Sequence, residues 1–188
     1  LSGDNLGLIV NRQIMTTEVR HTWVTRLLTD LHIIETAHAS AYLFPLYLYP
    51  AEGEMQFKEG RHPNLNPEFV KVFSEKLGLN FIGDGKGNLN ETFGPEDIFN
   101  YAYAIFHSPT YRTRYTEFLK RDFPRLPLTS DKEMFKALAE KGAALVALHL
   151  MESPLLNTLI TKYEVKSSND VEKVSYDEKT KRVYINKT

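Results

Sequence analysis

An α+β fold is what the residue pattern predicts: an N-terminal mixed or antiparallel sheet packed with a helical layer, and a C-terminal β-hairpin. Three observations carry this reading. Residues 5 to 50 hold β-branched and aromatic residues in short runs, residues 67 to 152 switch to apolar residues at helical spacing, and residues 172 to 186 alternate on either side of a polar turn.

In chain order, LGLIV, HTWVTRLL, LHIIET and AYLFPLYLY read as strands broken by turns such as NRQ and AHAS. Residues 51 to 66, AEGEMQFKEGRHPNLN, keep no period and read as a loop. Asn66 and Pro67 open a helix that Gly78 closes, because asparagine caps a helix start and glycine tolerates the left-handed turn at its end. LNFIG gives a short strand, and GDGKGN a glycine-rich turn. That turn lacks the GxxxxGK[ST] spacing of a phosphate loop and is not followed at once by a helix, so it reads as an ordinary turn.

The stretch from Thr92 to Ser130 organises the rest. Pro95 with Glu96 and Asp97 starts a helix over about 95 to 106, and Ser108-Pro109 restarts the pattern over about 109 to 121. FPRLPL must run as an extended strap, since each proline pushes its predecessor out of the helical region. A capping box of Ser130 and Glu133 begins a last helix over about 131 to 152, whose ALVALHLM segment is apolar on nearly all sides and is expected deep in the core.

Length and composition bound the function. The 188 residues suit one domain, expected to be a piece of a longer chain because the sequence opens at Leu1 and stops just after RVYIN. No apolar run reaches the roughly 20 residues that span a bilayer, no signal peptide is visible, and there are no cysteines, so a cytoplasmic location and no membrane partner are expected. A net charge of -1 argues against indiscriminate coating of nucleic acid, while leaving room for a local basic surface.

Catalytic chemistry is not assembled by any motif. There is no [ND]PP[YF] motif, no glycine-rich cofactor loop after a strand, and no HExxH among the scattered histidines; His149 in its apolar helix reads as a core histidine. The catalytic, cofactor and metal assignments for this fragment are therefore none. What remains is a surface. Arg112, Arg114, Lys120, Arg121 and Arg125 lie close in sequence, interleaved with Tyr111, Tyr115 and Phe123, a mixture suited to a phosphate backbone. Glu117, three residues after Arg114 and four before Arg121, is positioned to pair with either and absorb their charge. A second candidate surface is Asn11, Arg12 and Gln13, side chains able to bond base edges bidentately, with Arg20, His21 and Arg26 following; an ordinary polar turn is the competing reading.

The string DIFNYAYAIFHSPTYRTRYTEFLKRDFPRLPLTSD, with its HSPxYR corner and FPRxPL strap, resembles the C-terminal specificity region of type ISP restriction-modification enzymes and related adenine-specific DNA methyltransferases. NLGLIVNRQ, YLFPLYLYP and LVALHLMESP resemble the same family in the same order, so the likeness covers nearly the whole chain. The resemblance implies a single target-recognition domain over 1 to 188 that holds double-stranded DNA for an upstream methyltransferase domain of the same polypeptide. It also implies S-adenosyl-L-methionine as the parent chain's cofactor and favours recognition over a plain turn at Asn11 to Gln13. The alternative is a non-catalytic protein-interaction or scaffold module within a multidomain enzyme, which the near-neutral charge and the ten tyrosines also fit.

Overall fold

A computed structural model describes residues 1, 3–14, 22–33, 40–50, 60–158, 160 and 170–185. Two units are distinguished, Leu1–Asn157 and Thr158–Thr188, and the fold is α+β. In the first unit, β1 (Gly7–Asn11) is the middle strand of an antiparallel sheet between β2 (Thr22–Thr25) and β3 (Ala41–Pro45). The register sets Leu8 beside Val24 and Phe44, and Val10 beside Thr22 and Tyr42. Because side chains alternate along a strand, these residues share one face. Leu8 and Val24 of that face pack against Phe99 and Tyr103.

Those two aromatics belong to α2 (Pro95–His107), which buries Ile98, Phe99, Tyr101, Tyr103 and Phe106. It is buried on more than one side because it packs against both the sheet and the long helix α5 (Lys132–His149). Where α2 and α5 cross, residue 142 must be glycine. A Cβ there would lie 1.9 Å from the Asn100 carbonyl oxygen.

α1 (Pro67–Leu77) starts as expected, with Asn66 Oδ1 accepting from the Glu68 amide at 2.8 Å, and it ends at Gly78 with φ of 63°. Phe73 of α1 meets Phe93, Tyr101 and Phe135 at ring-centroid distances of 5.2 to 5.8 Å, forming the aromatic centre of the core. β6 (Asn80–Phe81) and β7 (Thr92–Phe93) form a two-residue parallel pair, and β4 (Tyr47–Leu48) pairs antiparallel with β5 (His62–Pro63). The glycine-rich turn serves the start of α2: Asp97 Oδ2 accepts from Gly87 N at 2.6 Å and Gly94 N at 2.9 Å. Burial pushes the Asp97 carboxyl up despite these two bonds.

Several expectations are corrected. The helix expected over 109 to 121 is two pieces, α3 (Pro109–Arg114) and α4 (Thr116–Leu119), parted at Tyr115. Thr116 Oγ1 turns back onto the Arg112 carbonyl at 2.6 Å and the Thr113 carbonyl at 3.1 Å, competing with the regular helical bonds. α5 is capped by Asp131, whose carboxylate accepts from Met134 N at 2.9 Å, rather than by a box of Ser130 and Glu133, and it ends at His149 rather than Glu152. Nor is it surrounded by core. Phe135, Ala139, Gly142 and Val146 are buried along one side, while Ala144 is exposed, because alanines contribute apolar periodicity without needing burial.

The LHIIET segment is a turn over Leu31–Ile33, and its remainder lies outside the described residues. Within the expected 51 to 66 loop, 51–59 also lie outside, and His62–Pro63 is strand. The strap at residues 123 to 128 is extended, pinned by two buried tyrosines: Tyr101 donates to the Pro127 carbonyl at 2.8 Å and Tyr111 to the Arg125 carbonyl at 2.7 Å. In the second unit β8 (Ser175–Asp177) and β9 (Arg182–Tyr184) form the expected hairpin, with Tyr176 opposite Val183. No described helix is long and apolar enough to cross a membrane.

Candidate nucleic-acid interface

The turn after β1 and the corner formed by α3, α4 and the strap meet. Ile14 N donates to the Lys120 carbonyl at 3.3 Å, which fixes the NRQ segment against the end of α4. Arg12 and Gln13 are exposed there. Arg12 Nε lies 3.6 Å from Asp122 Oδ1, and Arg125 Nη2 lies 4.0 Å from Asp122 Oδ2, so one carboxylate stands between two residues expected on separate surfaces. Next to it, Phe123 meets Tyr42 edge-on at 5.0 Å and Phe44 at 5.7 Å, joining the strap to β3.

The expectation that a turn presents Asn11 is corrected. Asn11 is the last residue of β1 and is 2% exposed; its Nδ2 donates to the Ser40 carbonyl, and its Oδ1 has no partner among the described residues. Arg26 is engaged as well. It grips Glu152 through Nε at 2.6 Å and Nη2 at 3.2 Å, with Nη1 on Asp4 at 3.0 Å. Arg20 and His21 lie outside the described residues.

Among the five corner cations, Arg112 points inward. Its Nε donates to the Phe106 carbonyl at 2.6 Å and its Nη2 to His107 Nδ1 at 3.0 Å. Since a guanidinium only donates, His107 Nδ1 accepts and Nε2 carries the proton that meets the Thr22 carbonyl at 3.1 Å. Burial, reinforced by Arg112, pushes His107 down to about 4; His149 is lowered too, by partial burial of its ring and by Arg112, although the residue is exposed at the end of α5 and is not the core histidine its apolar helix suggests. Tyr103, whose hydroxyl burial pushes up, bonds His149 Nδ1 at 2.5 Å. Sequence spacing gave no hint that His107 and His149, with ring centroids 5.2 Å apart, belong to one polar train linking β2, α2, α3 and α5. Among the described residues no group of three or more metal-ligating side chains occurs.

Of the other corner cations, Arg114, Arg121 and Arg125 face outward and Lys120 is half-buried. Arg114 and Arg121 are exposed, with no ion-pair partner among the described residues. Glu117 pairs with Lys120 at 2.9 Å rather than with either arginine: the break at Tyr115 separates it from Arg114, and α4 ends at Leu119, which leaves Arg121 beyond the helix and Lys120 at the i+3 position. Arg125 lies over the Phe118 ring at 4.8 Å. Beside it Tyr111, Tyr115, Phe118, Leu126 and Pro127 line a concavity of about 260 Å³.

A family model described as the Type ISP C-terminal specificity domain matches residues 1–188. The chain belongs to this family. No curated protein matches it. Two of the solved structures similar to the specificity domain are complexes with DNA. One is the cryo-EM structure of a DrdV-DNA complex, with a TM-score of 0.57 and 27% identity over 79% of this chain and 12% of that one. The other is the ATP-dependent Type ISP restriction-modification enzyme LlaBIII bound to DNA, with a TM-score of 0.63 and 19% identity over 100% of this chain and 11% of that one, a likeness of fold. The specificity domain thus spans about a tenth of the length of each structure it resembles.

Proposed function

We propose that this specificity domain selects a double-stranded DNA sequence for a cytoplasmic restriction-modification enzyme. Its methyltransferase domain lies upstream in the same polypeptide and transfers a methyl group from S-adenosyl-L-methionine to adenine. The observation that carries this reading is the meeting of the exposed Arg12 and Gln13 with the outward cations of the corner. Arg12 and Gln13 have the chemistry to read base edges, while Arg114, Lys120, Arg121 and Arg125 have the chemistry to hold phosphate. Arg26, Arg112 and Asn11 act within the fold. The DNA-bound enzymes similar to this chain support the same partner.

Selection from a pool of randomised duplexes with the full-length enzyme tests the reading. Enrichment of one motif is expected, and recovery without a shared motif would refute it. Four phosphate contacts predict a slope of log affinity on log salt of roughly -3 to -4. The competing reading, a docking module, draws on the exposure of Leu27, Leu28, Met151 and Leu155, which flank the Arg26–Glu152 pair in sequence. It predicts binding to another domain with a shallow salt dependence.

A further inference from the structure

We propose that Asp122 is a specificity-determining positioning residue: it holds Arg12 away from the DNA backbone and aims it at a base edge. This rests on the reading of the interface given above. Asp122 faces two cations at once, Arg12 Nε at 3.6 Å and Arg125 Nη2 at 4.0 Å. Its main chain is fixed on one side by the bond from Asp122 N to the Phe118 carbonyl at 3.1 Å, and on the other by Phe123 packed edge-on between Tyr42 and Phe44. The carboxylate is therefore held by the fold rather than carried on a free loop.

Its place has two consequences. Contact on the Nε side of Arg12 leaves the terminal amino groups open, and these form the fork that bonds guanine O6 and N7. A negative charge beside Arg12 also opposes a phosphate at the same spot, since like charges repel and the cost grows as DNA excludes water. Arg12 is thus biased toward bases, which carry partial charges, and away from phosphate. The neighbouring Arg125 stacks on Phe118 and is exposed enough to take a phosphate. The carboxylate thus acts on both arginines, and more closely on Arg12, whose Nε lies 3.6 Å from Oδ1 against 4.0 Å for Arg125. An acidic residue in a DNA-binding surface otherwise weakens binding without return.

The test is Asp122→Asn in the full-length enzyme, measured on a duplex selected by the wild type and on a scrambled duplex at two salt concentrations. Freed of the carboxylate, Arg12 takes phosphate. Scrambled-duplex affinity should rise about three- to tenfold, the salt slope should steepen by about one, and the cognate preference should fall about tenfold. Thermal stability should be unchanged, because exposed ion pairs at these distances contribute little. Asp122→Glu should restore part of the preference, and Asp122→Asn placed on Arg12→Ala should lose no further discrimination. A variant with unchanged preference, or one that weakens binding to both duplexes alike, overturns the proposal while leaving DNA recognition standing. Failure of the wild type to select any sequence would instead remove the reading on which the proposal rests.

Discussion

Replacing Arg112 by alanine is expected to damage the fold and to leave the electrostatics of DNA binding intact, although its place in the corner sequence suggests a phosphate contact. The guanidinium is held inward by bonds to the Phe106 carbonyl at 2.6 Å and to His107 Nδ1 at 3.0 Å. Bonds from a charged donor contribute about 1.5 to 3 kcal/mol each, and partial exposure lowers the sum to about 2 to 3 kcal/mol. Losing them strands a half-buried carbonyl and an imidazole nitrogen. For a chain of this size that corresponds to a melting temperature lower by roughly 5 to 10 °C. The assay is thermal unfolding of wild type and Arg112→Ala, paired with DNA affinity at several salt concentrations below both transitions. An unchanged melting temperature with a salt slope shallower by about one would mean that Arg112 grips phosphate, and the inward assignment would be wrong.

Other residues of the fold and the interface give equally direct outcomes. Arg114→Ala and Arg121→Ala should each reduce the salt slope by about 0.9 and weaken cognate and scrambled duplexes equally; a selective loss on the cognate duplex would make either a base reader. Gly142→Ala should cost about 3 kcal/mol or more, because its Cβ would fall 1.9 Å from the Asn100 carbonyl oxygen, and a chain melting like wild type would contradict the α2–α5 crossing. His107, pushed down to about 4, favours its neutral form in the fold, so its contribution is fully present above its ordinary value of 6.5 and is lost as pH falls toward 4. The loss should be about 1 to 2 kcal/mol after allowance for partial solvent access, and a His107→Gln variant should show a flatter stability profile across that window. The raised carboxyl of Asp97 works in the opposite sense at the acid end and is common to both proteins.

The helical half of the fold was legible because its signals are local. Asn66, Pro67 and Gly78 bound α1, Pro95 and Ser108 start α2 and α3, and the prolines of FPRLPL forbid helix, each through its own backbone preference. What was missed depends either on competition between near neighbours or on partners far away in the chain. Thr116 turning back on Arg112, Asp131 taking the cap from Ser130, and Glu117 choosing Lys120 are contests between neighbours of similar propensity, which side-chain geometry decides. The site followed the same division. Composition singled out the corner cations, but only the fold distinguishes the inward Arg112 from the outward Arg114, buries Asn11, and ties Arg26 to Glu152 across 126 residues of chain. The meeting of Arg12 with Asp122 joins segments about a hundred residues apart, and neither segment's own pattern signals it.

The central claim is that one interface divides reading from holding, and affinity of Arg12→Ala and Gln13→Ala for selected and scrambled duplexes, at two salt concentrations, tests it most directly. Each variant is predicted to lose about 1 to 3 kcal/mol on the selected duplex, to relax preference at one base pair, and to bind the scrambled duplex almost as wild type does. Full discrimination retained by both variants would contradict the claim and reduce the exposed turn after β1 to a turn.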